Sequence, residues 1–445
     1  MSTLDDVTVQ KVEQAGPASN SEFVYVDIGS VDNRTKRIVE PKRMPADEAP
    51  SRARQCLRAG DVLVSMTRPN LNAVALVPPE LDGSIGSTGF HVLRAKDGVD
   101  PRWIFNAVQS RDFIETMEGF VQGALYPAVR PKDIRGYQLH VPPMEEQKRV
   151  LAELKKQFSR LDEAVANLQR VKANLKRYKA SVLKDAVEGR LVPTEAELAR
   201  REGRSFETGE QLLEKVSERR RAAARGKRRE LLEPEFGALI DAPEGWVWTT
   251  CDAAIDAIDA GASFKCVEQP PRDGEVGVLK VSAVSWGIYN EDESKTCIDV
   301  NRIEKSYLVN PGDFLFSRAN TIELVGACVI VGTVRKQLML SDKTLRFKIS
   351  DSVIPNWLLV CLRTRFGRRE IERLATGNQE SMRNIGQGRI RQIRMPLPPL
   401  SEQERIVGEV DRRLSLVRGV EAEVDSNIKR AQALRQSVLS KSFSE

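Results

Sequence analysis

The sequence VPPMEEQKRV at residues 141–150 occurs a second time, in altered form, as LPPLSEQERI at residues 397–406. The two copies are 256 residues apart, and the same distance separates Ser181-Val182-Leu183 from Ser437-Val438-Leu439. The stretch between these two markers therefore has the same length in both halves of the chain.

Weaker matches precede each copy in the same order. Gly60-Asp61-Val62-Leu63-Val64-Ser65 resembles Gly312-Asp313-Phe314-Leu315-Phe316-Ser317, and Pro101-Arg102-Trp103 resembles Pro355-Asn356-Trp357. Several matches in one order indicate an internal duplication. Their spacing of 252 and 254 residues indicates small changes in loop length in the front part of each half.

A heptad pattern follows each Pro-Pro pair, which ends the preceding strand. Apolar residues occupy the two seam positions in both halves: Leu151, Leu154, Phe158, Leu161, Val165, Leu168, Leu175 and Val182, then Val407, Val410, Leu414, Val417, Val424, Ile428, Ala431 and Val438. The pattern predicts one long helix in each half. Polar residues interrupt the seam at Lys172, Lys179, Glu421 and Arg435. They either define the register of a coiled coil or mark points where the helices separate.

Each helix would expose an apolar stripe unless it had a partner, and the duplicate supplies one. Because the halves are alike, we expect a pseudo-twofold internal repeat in which the two long helices form an antiparallel coiled coil between two mixed domains. From Glu146 to Leu183 the first helix would extend about 57 Å at 1.5 Å per residue. That length equals roughly 17 base pairs of B-DNA.

The front of each half alternates short apolar runs with turn residues, which is typical of strands and loops with short helices. The predicted fold class is α+β, with two mixed α/β domains separated by the two antiparallel helices. The predicted divisions are residues 1–141, 142–190, 191–244, 245–397 and 398–445: first mixed domain, central helix, linker, second mixed domain and C-terminal helix. The linker contains a basic run from Arg219 to Arg229, which is either a solvated charged helix or a contact to DNA phosphates.

Composition limits the class of protein without deciding it. A formal charge of +6 and a pI near 8.9 permit a polyanionic partner. The six cysteines show no CxxC pair, and with only His91 and His140 available a zinc site is not expected. The chain shows neither a signal peptide nor an apolar run of about 20 residues, so we expect a cytoplasmic location and no membrane partner.

Catalytic motifs are not found. A methyltransferase needs a polar residue before Pro-Pro to hold the target amino group, and Val141 and Leu397 stand there instead. A motor or nuclease subunit needs a phosphate-binding loop, and Gly226-Lys227 lacks both the earlier glycine and the following hydroxyl residue. We therefore expect a non-catalytic chain that binds no cofactor or metal of its own.

Recognition of a DNA sequence requires forked donors and amide side chains on loops over a rigid scaffold. Both halves offer such side chains after the matching Gly-Asp strands and near the Pro-Pro junctions. The candidate DNA-binding residues are Arg34, Lys36, Arg37, Arg68, Asn70, Arg130, Lys132 and Arg135 in the first half, and Lys280, Arg318, Asn320, Lys343, Arg383, Arg389 and Arg391 in the second.

Three motifs resemble one known family. The junction Pro396–Val407, the segment Leu183–Pro193 and the stretch Ala242–Trp248 are similar to the junctions of target recognition domains and conserved helices in the specificity subunits of Type I restriction-modification enzymes. Two features depart from the family pattern. No Pro-Glu-Gly-Trp opening precedes the first domain, although one opens the second at Pro243–Trp246. No Gly-Arg-Leu-Val-Pro follows the second helix.

The resemblance implies a chain that binds double-stranded DNA, with each recognition domain recognising one half of an asymmetric bipartite site. It also implies that the helices dock two modification (methyltransferase) subunits. S-adenosylmethionine, ATP and Mg²⁺ are then expected on partner subunits, including two restriction subunits in a complex that also translocates and cleaves DNA. Alternatives that remain are the specificity subunit of a related fused restriction-methylation system, a divergent DNA methyltransferase or nuclease, and a coiled-coil scaffold that binds DNA without sequence preference.

Overall fold

A computed structural model of the chain describes residues 1–18, 21–121, 127–223, 230–234, 241–379 and 382–443. The chain forms two compact units. The first comprises Met1–Val171 and Glu423–Glu445, and the second comprises Lys172–Ala422. Each unit therefore combines one mixed domain with part of both long helices.

The two long helices span Met144–Val187 and Leu400–Phe443, with 44 residues each. In the first unit the beginning of the first helix shares a core with the end of the second, through Leu154 and Leu439. In the second unit the end of the first helix shares a core with the beginning of the second, through Val182 and Ile406. The helices are thus antiparallel in each unit, and the predicted α+β fold with a coiled coil is confirmed.

Three of the four polar seam residues, Lys179, Glu421 and Arg435, form ion pairs between the helices. In the second unit Lys179 Nζ lies 2.6 Å from Glu421 Oε2. In the first unit Arg435, 256 residues after Lys179, lies 2.7 Å from Asp162 Oδ1 and stacks 4.2 Å from the centre of the Phe158 ring. At both positions the helices stay in contact, so these residues define register and do not separate the helices.

The first mixed domain contains two main sheets. Their strands are short because turns interrupt the chain often. One sheet has four strands in the order Lys42–Pro45, Glu22–Val26, Ile85–Ser87, Ala53–Cys56, and the other has three in the order Phe90–Leu93, Val62–Ser65, Val74–Leu76. Two small ladders pair Ser2–Thr3 with Gln138–Leu139 and Val31–Asp32 with Arg37–Ile38. The helices are Leu4–Val7, Pro101–Ala107, Arg111–Gly119 and Pro131–Arg135.

The second mixed domain also contains two main sheets, each with four strands. A four-stranded antiparallel sheet has the order Ile255–Ala260, Thr344–Ile349, Phe314–Ser317, Cys328–Ile330, and a mixed sheet has the order Cys266–Val267, Ser294–Cys297, Val276–Leu279, Gln337–Met339. Smaller ladders are Ala319–Asn320 with Met382–Asn384 and Thr376–Gln379, Val247–Thr250 with Arg394–Leu397, and Val284–Ser285 with Ile288–Tyr289. The helices are Cys251–Ala254, Pro355–Arg363, Arg365–Leu374 and Gln387–Arg391.

A glutamine at the start of each long helix joins the helix to its mixed domain. Gln147 accepts a hydrogen bond from the Asp100 backbone at 2.9 Å and donates to the backbone oxygens of Gly98 at 3.0 Å and Pro142 at 2.8 Å. Its counterpart Gln403 makes the same three kinds of bond in the second unit. Both glutamines are fully buried. We call this arrangement the glutamine clasp, and its repetition supports the internal duplication.

The segment between the halves packs on the second unit. It contains the helices Glu195–Glu202 and Gly209–Ala223, and we call residues 191–223 the brace. Glu195 forms an ion pair with Arg405 at 2.6 Å, and Arg220 forms one with Asp252 at 2.9 Å. The division of the chain at residues 191–244 stays a prediction.

Among the described residues, no helix is long and apolar enough to cross a membrane. The same residues include no group of three or more histidine, cysteine or acidic side chains placed to hold a metal ion.

Candidate nucleic-acid interface

The first unit presents cations on a tight hairpin. Asp32 holds the turn between Val31–Asp32 and Arg37–Ile38, since its carboxylate accepts hydrogen bonds from the Arg34 backbone and the Thr35 hydroxyl, both at 2.8 Å. The side chains of Arg34 and Arg37 are exposed and form no hydrogen bond or ion pair with any described residue. They are available to an anionic ligand.

Lys36 connects this hairpin to a second loop. Its ammonium group donates to the backbone oxygen of Asn72 and, at 2.9 Å, to the Asn72 side-chain oxygen. Asn72 closes the turn Pro69–Leu71, which also carries the exposed Arg68 and Asn70. Four of the predicted residues, Arg34, Arg37, Arg68 and Asn70, therefore lie on two loops that Lys36 joins.

Backbone strain is concentrated on the same loops. Lys36, Arg68 and Asn72 have left-handed φ values of 57°, 49° and 45°, and among the described non-glycine residues only these three have positive φ. Each such residue costs on the order of 1 kcal/mol or more, which the surrounding structure must offset. Strain of this kind is typical of functional loops.

Burial changes the acid–base behaviour of Lys36. Removal from water and, to a smaller extent, the nearby positive charge of Arg435 lower the pKa of its ammonium group to about 8. The carboxylate of Asp32 opposes this shift. Lys36 thus carries a charge that its surroundings disfavour and that an incoming anion would stabilise.

The Pro131–Arg135 helix brings three further candidates, with different roles. Arg68 donates its backbone N–H to Pro127 at 2.8 Å, which places the Arg68 turn beside the chain leading to Arg130. Arg130 and Lys132 are exposed, although Arg130 also pairs with Asp133 at 3.1 Å. Arg135 pairs with Asp5 and donates to two backbone oxygens near the N-terminus, so its side chain is committed to the fold.

In the second unit the equivalent loop forms a short ladder. Ala319–Asn320 pairs with Met382–Asn384, which sets Asn320 opposite Arg383. Arg318 donates its backbone N–H to Lys343 at 2.9 Å, and its Nε donates to Asn384 at 3.4 Å. The structure thereby brings Arg318, Asn320, Lys343 and Arg383 together.

The hydrogen bonds also define which residues of the two halves correspond. Val129 donates to Met66 at 2.8 Å, and its counterpart Ile385 donates to Arg318 at 2.9 Å. Met66 is therefore the structural equivalent of Arg318, and Arg68 is the equivalent of Asn320. The two loops therefore present similar side chains at different positions.

A cleft of about 620 Å³ lies beside this ladder in the second unit. Three predicted residues, Lys280, Asn320 and Lys343, line it together with Lys295, which the sequence did not single out. The carboxylate of Glu268 pairs with Lys295 and lies 3.8 Å from the Lys280 ammonium. Lysine is common on exposed strand positions, so its identity alone does not indicate a binding role for Lys295. Only the pairing of Lys295 with Val278 in the folded sheet places it beside the cleft.

The remaining predicted residues of the second unit serve the fold to differing degrees. Arg383 donates to the Gly377 backbone at 2.5 Å, and the exposed Arg389 donates to the Leu374 backbone at 3.0 Å. Arg391 is 7% exposed and pairs with the fully buried Asp252 at 2.8 Å. The Arg391 guanidinium thus neutralises a buried carboxylate, and its contact with DNA stays a prediction that this burial disfavours.

Part of the predicted basic run is likewise engaged. Arg219 pairs with Asp256 at 3.1 Å and Asp351 at 3.0 Å, and Arg220 pairs with Asp252. Residues 224–229 of the run lie outside the described residues. The described part thus anchors the brace to the second unit.

The six cysteines of the chain form no disulfide bond. All six are free thiols, and four of them are buried. Burial raises the pKa of the Cys328 thiol to about 12, which keeps it protonated at neutral pH.

Comparison with known proteins gives consistent matches. The chain is 33% identical to the Type I restriction enzyme EcoEI specificity subunit of Escherichia coli over 174 residues, and 24% identical to the EcoKI specificity subunit of Escherichia coli strain K12 over 177 residues. Each match covers 39% of this chain, and they cover 29% and 38% of those relatives, so the chain spans well under half their length in the matched regions. No family model matches the chain.

The fold has a solved counterpart over nearly its whole length. A structure described as the basis of complex assembly and conformational transition of the type I R-M system matches with a TM-score of 0.66 and 25% identity, and the match covers 99% of this chain and 96% of that one. The resemblance to Type I specificity subunits that the motifs indicated is confirmed by these matches.

Proposed function

We propose that this chain is the DNA-recognition subunit of a Type I restriction-modification enzyme. The observation that carries the proposal is one scaffold built twice, with the same glutamine clasp but with different cations and amides on the corresponding loops. Two recognition domains that share a framework and differ in their loops suit a bipartite, asymmetric site.

The DNA-contacting groups we propose are those left accessible on these loops. In the first domain they are Arg34, Lys36, Arg37, Arg68, Asn70, Arg130 and Lys132; in the second they are Lys280, Arg318, Asn320, Lys343, Arg383 and Arg389, to which Lys295 is added. Arg135 and Arg391 are left out because each is bound to an acidic residue of the fold.

The chain itself supplies recognition and no chemistry in this proposal. Modification subunits, two per chain by analogy with the internal duplication, would dock on the long helices and carry S-adenosylmethionine. Restriction subunits with ATP and Mg²⁺ would join them in a complex that also cleaves. The proposed site of action is the cytoplasm.

The first test is mapping of methylated adenine by long-read sequencing in cells with and without the gene. Loss of one bipartite modified motif upon deletion is the expected result and identifies both half-sites. Methylation that persists unchanged, together with failure of the purified chain to co-purify with a methyltransferase, would refute the proposal. Methyl transfer by the purified chain alone would favour the enzyme alternative.

The second test asks whether the loops recognise sequence. Arg68→Ala should weaken binding to the identified site by about tenfold or more, because a bidentate base contact contributes on the order of 1–3 kcal/mol. Arg111→Ala is a matched control, since Arg111 is an exposed helix residue paired with Glu115. Equal affinity of the two variants and the native chain would remove Arg68 from the contact set.

A further inference from the structure

Two cysteines of the second unit face each other across neighbouring strands. Cys266 and Cys297 are directly opposite in the antiparallel ladder that joins Cys266–Val267 to Ser294–Cys297. Side chains at opposite positions of such a ladder lie on the same face of the sheet and contact each other. Both cysteines pack in one small core around Met339. The two thiols are therefore neighbours in space.

The hydrogen bonds of the ladder define the spacing of this pair. Ile298 donates its backbone N–H to Lys265 at 3.0 Å, so Lys265 and Ile298 form a hydrogen-bonded pair. Hydrogen-bonded and non-hydrogen-bonded pairs alternate along antiparallel strands, which makes Cys266 and Cys297 a non-hydrogen-bonded pair. In such pairs the Cα atoms are typically about 4.5 Å apart, within the range of about 4.4–6.8 Å that a disulfide spans. The backbone is thus already placed for a bond between the two sulfurs.

The two thiols differ in their access to solvent. Cys266 is half-buried and lines the cleft of about 620 Å³ together with Phe264 and Lys295. Cys297 is only 7% exposed. Each thiol donates a weak hydrogen bond to a backbone oxygen, Cys266 to Phe264 at 3.6 Å and Cys297 to Asp299 at 3.8 Å. The first thiol can therefore meet a solute in the cleft, whereas the shielded second thiol meets the first.

The charges around Cys266 affect its reactivity in opposite directions. Burial raises the pKa of the Cys266 thiol, the neighbouring Cys297 thiol adds to this rise, and the positive charge of Lys295 opposes it. Only the thiolate is a nucleophile, so the raised pKa slows thiol exchange without preventing it.

A bond between the two sulfurs would restrain one wall of the cleft. Cys266–Val267 is the edge strand of the mixed sheet and has only two residues. Glu268 follows it directly, and its carboxylate pairs with Lys295 and lies 3.8 Å from the Lys280 ammonium. Joining Cys266 to the neighbouring strand would hold this carboxylate beside both lysines. A phosphate group would then meet a negative charge that cannot withdraw.

We propose that Cys266 and Cys297 are a redox-sensitive dithiol, which a low-molecular-weight disulfide such as glutathione disulfide converts to an intramolecular disulfide, and that this bond lowers the affinity of the cleft for DNA. The effect on DNA rests on the proposed function, whereas formation of the bond does not.

The reaction is two successive thiol–disulfide exchanges. The Cys266 thiolate attacks one sulfur of glutathione disulfide, which forms a mixed disulfide and releases the first glutathione. The Cys297 thiolate then attacks the Cys266 sulfur, which closes the intramolecular bond and releases the second glutathione. The protein loses two electrons and two protons, and glutathione disulfide takes them up to become two thiols.

The first test identifies the bond in the full native chain. The reduced chain is incubated with glutathione disulfide, alkylated, digested with trypsin and examined by mass spectrometry. The two cysteines then lie in the peptides CVEQPPR, residues 266–272, and TCIDVNR, residues 296–302. We expect these peptides to be joined by a bond that dithiothreitol removes. Glutathione attached to Cys266 without joined peptides, or a bond from either cysteine to another one, would overturn the proposal.

The matched control is Cys56, a half-buried thiol of the first unit. Its partner in the ladder is Ile85, so no second thiol lies opposite it. Cys56 should take up glutathione without forming an intramolecular bond. An intramolecular bond at Cys56 under the same conditions would show that cysteines join without regard to strand pairing and would overturn the proposal.

The second test compares the DNA affinity of the reduced and oxidised chains by filter binding. Oxidation should weaken binding by about threefold, the size expected for one exposed ion pair that is held against phosphate. Cys266→Ser should abolish this difference, and Cys56→Ser should retain it. Joined peptides with unchanged affinity would overturn the switch and leave the proposed function intact. A reduced native chain that binds no DNA would refute the proposed function, while the joined peptides would still decide whether the dithiol is oxidised.

Discussion

Lys36 and Asn72 hold the two candidate DNA-binding loops of the first unit together, and both residues have left-handed backbone conformations. The lysine ammonium donates to two oxygens of Asn72, and the Asn72 amide donates in turn to the Val108 backbone at 2.8 Å. These bonds connect the hairpin to Val108, the residue that follows the helix Pro101–Ala107. The loops are therefore held in place without a ligand, which would reduce the ordering cost of the proposed DNA binding.

The pH dependence of DNA affinity should report on Lys36. Its pKa of about 8 in the free protein lies below the ordinary value of 10.5, so the ammonium loses its proton as pH rises through 8. DNA phosphates favour the charged form, and the affinity should fall between pH 7 and pH 9. Lys36→Arg keeps the charge over this range, so we expect a flatter profile. Filter binding at constant ionic strength measures both, and superimposable profiles would exclude Lys36 as the cause.

The salt dependence of binding should report on the cleft of the second unit. Lys343 is exposed, lines the cleft and forms no ion pair with any described residue. Lys343→Ala should reduce the slope of log affinity against log salt by about 0.9, the value for one phosphate contact. Lys348→Ala is the control, because Lys348 is an exposed lysine on the strand Thr344–Ile349 directly after Lys343, lies 3.7 Å from Asp259 and does not line the cleft. An unchanged slope for Lys343→Ala would place the phosphates elsewhere.

Replacement of Arg391 should lower the stability of the fold and leave the DNA sequence preference unchanged. Removing its guanidinium deprives the fully buried Asp252 of an arginine partner, although Arg220 still pairs with it. Breaking a buried pair costs on the order of 3 kcal/mol, so Arg391→Met should lower the urea midpoint clearly. Arg389→Met, at an exposed site in the same short helix, should not. A change in the recognised bases upon Arg391→Met would restore it to the contact set.

The glutamine clasp should contribute a similar amount to the stability of each unit. Gln147→Leu and Gln403→Leu each remove three hydrogen bonds at a fully buried site and leave backbone groups without partners, at a cost of about 1–3 kcal/mol or more. Gln157→Leu, which removes one exposed bond to Glu153, serves as the reference. Chemical denaturation followed by tryptophan fluorescence compares the three. Stability equal to the reference would mean that the clasp bonds are replaced by water.

The long helices and the duplication could be predicted from the sequence because a heptad pattern and a repeated motif depend on local spacing alone. The seam residues from Leu151 to Val182 lie where the pattern puts them, and only Lys172 among the seam positions of this stretch is exposed. Whether Lys179 joins or separates the helices was open, since the answer depends on Glu421, 242 residues away.

The candidate DNA-binding residues were harder to assign for the same reason. Arg391 and Arg68 look alike in the sequence, yet Arg391 meets Asp252 across 139 residues, and Arg68 meets no carboxylate among the described residues. Arg135 similarly meets Asp5 across 130 residues. Whether a cationic side chain is free or paired depends on tertiary contacts, which neither the composition nor the spacing of the sequence shows. Lys295 was missed because strand lysines are common and the cleft forms only when distant strands assemble.

The glutamine clasp makes its contacts outside the long helix with backbone atoms alone. Gln147 bonds to the main chain of Asp100, Gly98 and Pro142, and Gln403 bonds to that of Ile354, Ser352 and Pro398. A main-chain partner is indifferent to the side chains around it. The clasp therefore depends on the backbone path of the mixed domain and places no requirement on that domain's own side chains.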